Sequence, residues 1–276
     1  MRVRMYQLTI ENFDIRKICY SGQCFRMKER EENTFEIIAY GHYIEICQKE
    51  SVVTMSCTEE EFHSIWKTYL GLDDDYNTIT GLVNEEDRYM KKAMSFGWGI
   101  RILKQELWET IVSFLISQQN NIPRIKKSIQ MLCERYGDKK LNLRGEVYYT
   151  FPKPEALHHL TDSVLKECNL GYRSKYILRT AKAIVDGSFD LEALPKLSYE
   201  EARKELMKLY GVGIKVSECI CLYALHHLNA FPIDTHIQKV LENNYPDGFP
   251  FEQYRGYSGA LQQYAFYYDL NAAKFS

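Results

Sequence analysis

The sequence lacks the features that mark several large classes of protein. Its eight cysteines include no Cys-x-x-Cys pair, which indicates free thiols in a reducing compartment rather than disulfides or a zinc site. No apolar run approaches the roughly 18 residues of a membrane span, and the first residues have no signal-peptide core. Internal repeats and low-complexity tracts are also absent. We therefore expect a globular protein of the cytoplasm, without membrane contact.

The chain also lacks an excess of positive charge. Its formal net charge is −2 at pH 7 over 276 residues, which argues against a protein that coats nucleic acid without specificity. Any contact with DNA must then come from a local basic face. The residues predicted to form such a face are Arg124, Lys126, Lys127, Arg173 and Lys175.

Two kinds of hydrophobic spacing divide the chain. Tyr6, Leu8 and Ile10 alternate with polar neighbours, and similar alternation up to about residue 75 predicts antiparallel strands. After the polar break at Asp73–Asp75, helical spacing takes over. The predicted fold class is α+β, with an antiparallel sheet domain and linker over residues 1–90 packed on a mostly helical body over residues 91–276.

A Gly-Val-Gly turn organises the helical part. Gly211 and Gly213 allow a tight hairpin between two helices and leave amides free to bind phosphate. Lys215 begins the next helix, which is apolar nearly all round and so predicted to be buried; the helix dipole and burial both disfavour an ammonium, which favours a nucleophilic amine. Asp234 precedes another helical pattern, so we expect it to cap that helix and remain ionised, where it could stabilise a sugar cation.

Together these residues resemble the helix-hairpin-helix, Gly/Pro-Asp superfamily of DNA glycosylases, and Lys215 places the chain among its bifunctional members. Five motifs in family order, spread over nearly the whole chain, are similar to those of 8-oxoguanine DNA glycosylase/AP lyases. The resemblance implies base excision repair of double-stranded DNA, with 8-oxoguanine opposite cytosine as target. Lys215 would form a Schiff base that leads to strand nicking by β-elimination, and Asp234 would stabilise the developing cation.

The resemblance also implies which residues hold the damaged base. Gly22 lies in a Ser-Gly-Gln-Cys-Phe-Arg segment, where the family's glycine carbonyl meets the flipped base. Gln262 and Phe266 share one face of a C-terminal helix and would bind the Watson-Crick edge and stack on the base. Gln263 with Tyr267 is the competing register. Cys219, one turn after Lys215, would lie against the opposite face of the base.

Other positions match the family's contacts with the DNA around the lesion. The segment with Gln119, Asn120, Asn121 and Arg124 would fill the gap and read the estranged cytosine, although Gln119 replaces the usual asparagine and leaves the strictness of this reading open. Tyr172 would wedge beside that cytosine and Arg173 would bond to it. His236, Gly211 and Gly213 would contact the backbone.

Three further expectations concern partners and location. No cofactor is implied, because no cysteine follows Cys221 and the four-cysteine iron-sulfur loop of some relatives is therefore missing. We expect a monomer. The lack of long tails or a basic localisation run favours a bacterial, nucleoid-associated protein over a nuclear one.

Two other functions fit part of the pattern. An alkylbase or adenine glycosylase of the same superfamily would keep Asp234 but usually lack Lys215. A noncatalytic helix-hairpin-helix module would grip phosphates but leave Asp234, Gln262 and Phe266 unexplained. Taken singly, most of these residues also have ordinary structural explanations as helix caps, core side chains or solvated surface groups.

Overall fold

The computed structural model describes residues 5–272, except for the side chain of Thr80. The outer ends of the two predicted domains, residues 1–4 and 273–276, lie outside the described residues. Among the helices that are described, none combines the length and hydrophobicity that a membrane crossing requires.

Five antiparallel strands form the N-terminal sheet, in the order β1-β5-β4-β3-β2. Alternate residues face the core, and Ile37 of β3 lies opposite Ile44 of β4, both fully buried. Tyr40 and Gly41 both adopt positive φ, which closes the β3–β4 hairpin tightly. The predicted antiparallel sheet is confirmed. Its strands are β1 Tyr6–Thr9, β2 Met27–Glu31, β3 Thr34–Ala39, β4 His42–Lys49 and β5 Val52–Met55.

The prediction that strands continue to about residue 75 is wrong in two places. A helix, α1 (Ile15–Tyr20), follows β1 and starts where Asp14 accepts from the Lys17 amide. Helical structure resumes at Glu59, four residues after β5, behind a capping box made by Thr58. The α1 helix buries residues spaced by three and four positions, a helical period that the sheet alternation on either side obscured.

The rest of the chain is mostly helical, as predicted. A small hairpin of β6 (Lys139–Leu141) and β7 (Val147–Tyr149) was not predicted, because it is short and its first strand is exposed. The helices are α2 Glu59–Glu61, α3 Lys67–Tyr69, α4 Tyr76–Gly81, α5 Arg88–Gly97, α6 Leu107–Ser117, α7 Ile122–Tyr136, α8 Pro154–Leu157, α9 Asp162–Lys166, α10 Ser174–Val185, α11 Tyr199–Leu206, α12 Ile214–Tyr223, α13 Thr235–Asn244 and α14 Ser258–Asn271, with a π-helical segment at Phe62–Trp66 and 3-10 turns at Gly171–Arg173 and Leu194–Lys196.

The sheet and the helical body have separate hydrophobic cores, which meet at the segment between α1 and β2. Gln23, in this segment, is fully buried. Its side chain donates to the Arg101 carbonyl at 2.9 Å and accepts from the Leu103 amide at 2.8 Å. Gln105 donates to its main-chain carbonyl at 2.7 Å. These bonds fix the loop that carries Gly22 against residues 101–105.

Replacing Gln23 by alanine should therefore destabilise the fold. It removes partners from a buried amide and a buried carbonyl, each worth roughly 1–3 kcal/mol, so we expect a loss of about 3 kcal/mol or more in the free energy of unfolding, measured by urea denaturation. Gln130→Ala, which removes an exposed glutamine whose side chain donates to Glu134 one turn away, is the matched control and should change stability by less than about 0.5 kcal/mol. Equal effects from the two variants would contradict this role of Gln23.

Candidate active site

A cavity of about 850 Å³ opens where the α6–α7 junction meets the starts of α12 and α13 and one face of α14. Its walls include aromatic and aliphatic side chains such as Phe25, Phe114 and Ile122. The volume lies within the range of small-molecule pockets. The predicted residues that line it are Gly22, Gln119, Asn120, Asn121, Gly213, Lys215, Asp234, His236 and Phe266.

Lys215 reaches the cavity from the first turn of α12. It is half-buried, and Ile214 beside it is 65% exposed, so the predicted burial of this helix begins after its first two residues. Its Nζ atom lies 5.4 Å from the centre of the Phe114 ring. The remainder of α12 is buried, as predicted. The amine therefore lies between the buried part of α12 and the open cavity.

Cys219 lies one turn behind Lys215 and is 2% exposed. Burial raises the pKa of its thiol to about 11, although the adjacent Lys215 ammonium, within hydrogen-bonding reach, acts in the opposite direction. The thiol is thus protonated at neutral pH. Cys219 lies behind the cavity wall rather than on it.

Asp234 caps α13, as predicted. Its Oδ1 atom accepts from the amides of His236 at 3.0 Å and Ile237 at 2.9 Å. Both bonds end on the same oxygen, and within residues 5–272 no hydrogen bond to Oδ2 is found. One carboxylate oxygen is therefore used for the fold, and the other remains available to the cavity that Asp234 lines.

Glu218 links the elements that carry Lys215 and Asp234. It is 4% exposed and accepts from the Tyr199 hydroxyl at 2.7 Å, the Arg203 guanidinium at 3.2 Å and the Phe231 amide at 2.8 Å. It therefore joins α11, α12 and the chain leading to Asp234. Glu218 was not predicted as a functional residue, although a carboxylate within an otherwise apolar helix is a signal for one.

Three of the residues predicted to hold a base lie at two depths, with Gly22 and Phe266 at the cavity and Gln262 behind them. Gly22 (φ +79°) and Phe266 face each other at the cavity, so closely that a Cβ at Gly22 would lie 3.0 Å from the phenyl ring. Gln262 is 3% exposed behind them, where its Nε2 donates to the Pro232 carbonyl at 2.9 Å and its buried Oε1 has no hydrogen-bond partner among the described residues.

The competing register of α14 serves a different purpose. Gln263 is fully buried, and both ends of its side-chain amide are used: Nε2 donates to the Ser21 carbonyl at 2.7 Å, and Oε1 accepts from the Tyr223 hydroxyl at 2.6 Å. Gln263 is therefore part of the core, whereas Gln262 retains an unused acceptor. This difference favours the Gln262–Phe266 register.

The segment between α6 and α7 projects beside the cavity. Gln119 is exposed and adopts φ +46°, a left-handed conformation that is uncommon for a residue with a side chain. Asn120 donates to the Ile116 carbonyl at 3.1 Å, and Asn121 caps α7 by accepting from the Arg124 amide at 3.0 Å. Both asparagines thus have structural duties, while Gln119 and the exposed Arg124 point outward.

The predicted basic face is smaller than expected. Arg173 is 7% exposed and donates to the main-chain carbonyls of Gln118 (2.8 and 2.5 Å) and Gln119 (3.0 Å). Lys126 donates to the Met27 carbonyl at 2.8 Å. Both cations turn inward to satisfy carbonyls that are distant in sequence, so the exposed members of the predicted face are Arg124, Lys127 and Lys175. A contact between Arg173 and a base would require these bonds to be exchanged.

The remaining predicted residues flank the cavity. His236 pairs through Nδ1 with Asp269 at 2.6 Å, and its ring meets Phe266 edge-on at 5.5 Å. Tyr172 is 44% exposed and lies under the Arg173 guanidinium, 4.6 Å from ring centre to Cζ. Gly211 (φ +92°) lies directly on the Tyr176 ring, whereas space is open around Gly213.

Outside this cavity, a second one of about 730 Å³ lies between the sheet, α7 and the β6–β7 hairpin, and it contains none of the residues predicted to act in the site. In the part of the chain that the structure describes, no group of three or more His, Cys, Asp or Glu side chains is arranged to hold a metal ion. All eight cysteines are free thiols.

Both parts of the chain match known protein families. Residues 5–111 match the N-terminal domain of 8-oxoguanine DNA glycosylase, and residues 112–246 match the HhH-GPD superfamily of base excision DNA repair proteins. An N-glycosylase/DNA lyase of Saccharomyces cerevisiae is 38% identical over 53% of this chain, and the match spans 42% of that protein.

Solved structures are similar over almost the full length. The 8-oxoguanine glycosylase/lyase of Clostridium acetobutylicum, in complex with double-stranded DNA containing cytosine opposite 8-oxoguanine, is 36% identical, with a TM-score of 0.90, 96% of this chain covered and 94% of that one. MBOgg1, in complex with a low-affinity DNA ligand, is 34% identical, with a TM-score of 0.92 and coverage of 98% and 96%.

The two hairpin glycines should respond differently to alanine. A Cβ at Gly211 would lie 2.5 Å from the Tyr176 ring at a strained φ, so we expect Gly211→Ala to reduce the free energy of unfolding by about 2–4 kcal/mol. A Cβ at Gly213 meets nothing within 4 Å. Gly213→Ala should leave stability within about 0.5 kcal/mol but weaken binding to duplex DNA severalfold, because the methyl group occupies the approach to the helix start.

Urea unfolding and fluorescence anisotropy with a labelled duplex measure the two effects separately. Wild-type affinity in Gly213→Ala would show that phosphate does not approach this turn.

Proposed function

The chain belongs to the 8-oxoguanine DNA glycosylase family within the HhH-GPD superfamily, and we propose that it excises 8-oxoguanine from duplex DNA and then nicks the abasic strand. The observation that carries this proposal is the half-buried Lys215 facing the same cavity as the cap Asp234. A protein that only bound DNA would require neither Lys215 nor Asp234 in the cavity. The target nucleotide must leave the stack to reach them, at a cost of roughly a few kcal/mol.

Lys215 is the proposed nucleophile. Its neutral amine attacks C1′ as the bond to the base breaks, and the departing base takes up a proton. The resulting aminal opens to a protonated Schiff base, loss of a C2′ proton expels the 3′ phosphate, and hydrolysis frees the lysine. Asp234 stabilises the positive charge on the sugar through Oδ2, the oxygen that the helix cap leaves available.

Base recognition is proposed to begin with Gln262. Its buried Oε1 acceptor lacks a partner in residues 5–272, and the Watson-Crick edge of guanine or 8-oxoguanine offers N1–H and N2–H donors. Gln262 therefore cannot distinguish the two bases. The Gly22 carbonyl can, because it accepts from the N7–H of 8-oxoguanine but repels the N7 lone pair of guanine. Leaving such a carbonyl unpaired costs roughly 1–3 kcal/mol.

Phe266 lies against Gly22 at the wall of the cavity. A stacked base needs about 3.4 Å to each neighbour, yet Phe266 already fills the place against Gly22. We propose that Phe266 swings away from Gly22 when the base enters and then stacks on it, opposite Cys219. The edge contact of Phe266 with His236 is broken or remade in that movement, while His236, held by Asp269, is left to contact a backbone phosphate.

The surroundings of the estranged base complete the proposal. Gln119, Asn120 and Tyr172 hold the gap open beside cytosine, with Asn121 supporting the start of α7. The exposed Arg124 reads the cytosine edge, and Arg173 supports the same loop from within. We propose further that the protein acts as a monomer, at the nucleoid of a bacterial cell.

The covalent step can be tested by borohydride trapping. Wild type should give an enzyme–DNA adduct on an 8-oxoguanine duplex, and Lys215→Gln should give none while duplex binding survives, because the amide cannot attack C1′. The control is Asp234→Asn, which keeps the cap acceptor and the amine but should slow single-turnover excision by about a hundredfold or more. An adduct of undiminished yield in Lys215→Gln would assign the chemistry to another amine.

The two arginines should differ in their effect on the opposite base. Arg124→Ala should reduce the preference for cytosine over adenine by about 5- to 150-fold, the equivalent of one good contact worth roughly 1–3 kcal/mol. Arg173→Ala should slow excision similarly opposite all four bases, because it frees the loop carbonyls rather than removing a reader. Single-turnover rates on four duplexes measure both. A selective loss of the cytosine preference in Arg173→Ala would make that residue a reader as well.

A further inference from the structure

Three tyrosines form a connected group beside the hairpin. The rings of Tyr172 and Tyr176 meet edge-to-face at 5.6 Å between centres, and those of Tyr176 and Tyr210 do so at 5.3 Å. Arg173 lies over the outer ring at one end, and Arg179 lies over Tyr210 at the other, 3.9 Å from Cζ to the ring centre. We call this group the tyrosine ladder. Each end therefore holds a guanidinium in a cation–π contact.

The tyrosine ladder joins the loop before α7 to the hairpin turn. Gly211 packs on the central ring, Tyr176, and its carbonyl accepts from Gln118 Nε2 at 3.0 Å. Arg173 holds the carbonyls of Gln118 and Gln119. The ladder is thus continuous with two segments that the proposed function places against DNA, and Arg179 marks its far end.

Arg179 differs from Arg173 in being exposed. Across residues 5–272 no carboxylate forms an ion pair with it. Stacking on Tyr210, which is 48% exposed, fixes the plane of the guanidinium while leaving its N–H edge open to solvent. An arginine ordered in this way loses less conformational entropy on binding a phosphate than a free one does.

Two more cations extend from Arg179 along α10. Lys175 and Lys182 lie four residues before and three after it, so all three share one helical face. Each is exposed, and in the described part of the chain neither lysine has a salt-bridge partner. The row spans about 10 Å of helix, enough to follow two successive phosphates of a strand. A row of unpaired cations anchored on an aromatic ring is typical of nucleic-acid backbone binding.

We propose that Lys175, Arg179 and Lys182, with Tyr210 as support, form an additional binding site for the phosphodiester backbone of duplex DNA outside the flipped nucleotide. The proposal rests on the proposed function, because it takes the hairpin and the α6–α7 loop as the DNA face. The site reads no base and touches no reacting atom. It therefore contributes equally to the binding of damaged and undamaged duplex, and so to retention on DNA before a lesion is met.

The test compares Arg179→Ala with the matched control Arg144→Ala. Arg144 is an exposed arginine of the β6–β7 turn, and it pairs with Glu45 of β4. Binding to an undamaged duplex, and to the same duplex with one 8-oxoguanine, is measured by anisotropy over a series of salt concentrations. Arg179→Ala should weaken both affinities about three- to tenfold and reduce the slope of log K against log salt by about one. Arg144→Ala should change neither.

Two further variants separate charge from support. Arg179→Lys should keep the salt slope but lose part of the affinity, and Tyr210→Leu should do the same because it frees the guanidinium without removing its charge. The single-turnover excision rate at saturating enzyme should stay at the wild-type value in all of these variants. Wild-type affinity and slope in Arg179→Ala would overturn the site, as would a reduced excision rate with an unchanged slope. Failure of the wild type to excise 8-oxoguanine would instead overturn the proposed function.

Discussion

The geometry of the site depends on one buried glutamine. Gln263 connects α14 to the loop before β2 by donating to the Ser21 carbonyl, and to α12 by accepting from the Tyr223 hydroxyl. These three elements carry Phe266, Gly22 and Lys215. Because a buried amide with either end unpaired costs roughly 1–3 kcal/mol per group, the three elements are held in one relative position. The proposed nucleophile and the residues proposed to contact the base are therefore aligned by a side chain that lies behind them in the core.

Most of the local features could be predicted from the sequence, and most of the distant pairings could not. The Asp234 cap and the Ser198 capping box involve bonds within a few residues, so their spacing alone identifies them. Arg173 and Gln118 are 55 residues apart, and Lys126 and Met27 are 99 apart. Nothing in the order of residues shows that these cations turn inward, whereas their charge predicts a place on the surface.

Two residues at the site bear on selectivity under the proposed function. Among residues 5–272 the Gln262 Oε1 acceptor has no donor, and Phe266 lies against Gly22 where a base is proposed to stack. A flipped guanine could supply the missing donors as well as 8-oxoguanine does, so satisfying Gln262 favours entry of either base. In the proposed mechanism, selection then occurs after entry, through the Gly22 carbonyl and the alignment of the base with Lys215. Under this proposal, entry of the base and selection of the damaged base are two separate steps.

The conformation of Gln119 bears on which side chains the tip of this loop can carry. An asparagine tolerates left-handed backbone better than a glutamine does, but the longer side chain is present at φ +46°. Arg173 donates to the carbonyls of Gln118 and Gln119, and these bonds stabilise the strained turn. Because the backbone of the tip is held through its carbonyls and not through the side chain of residue 119, side chains of different length can occupy this position without remodelling the loop.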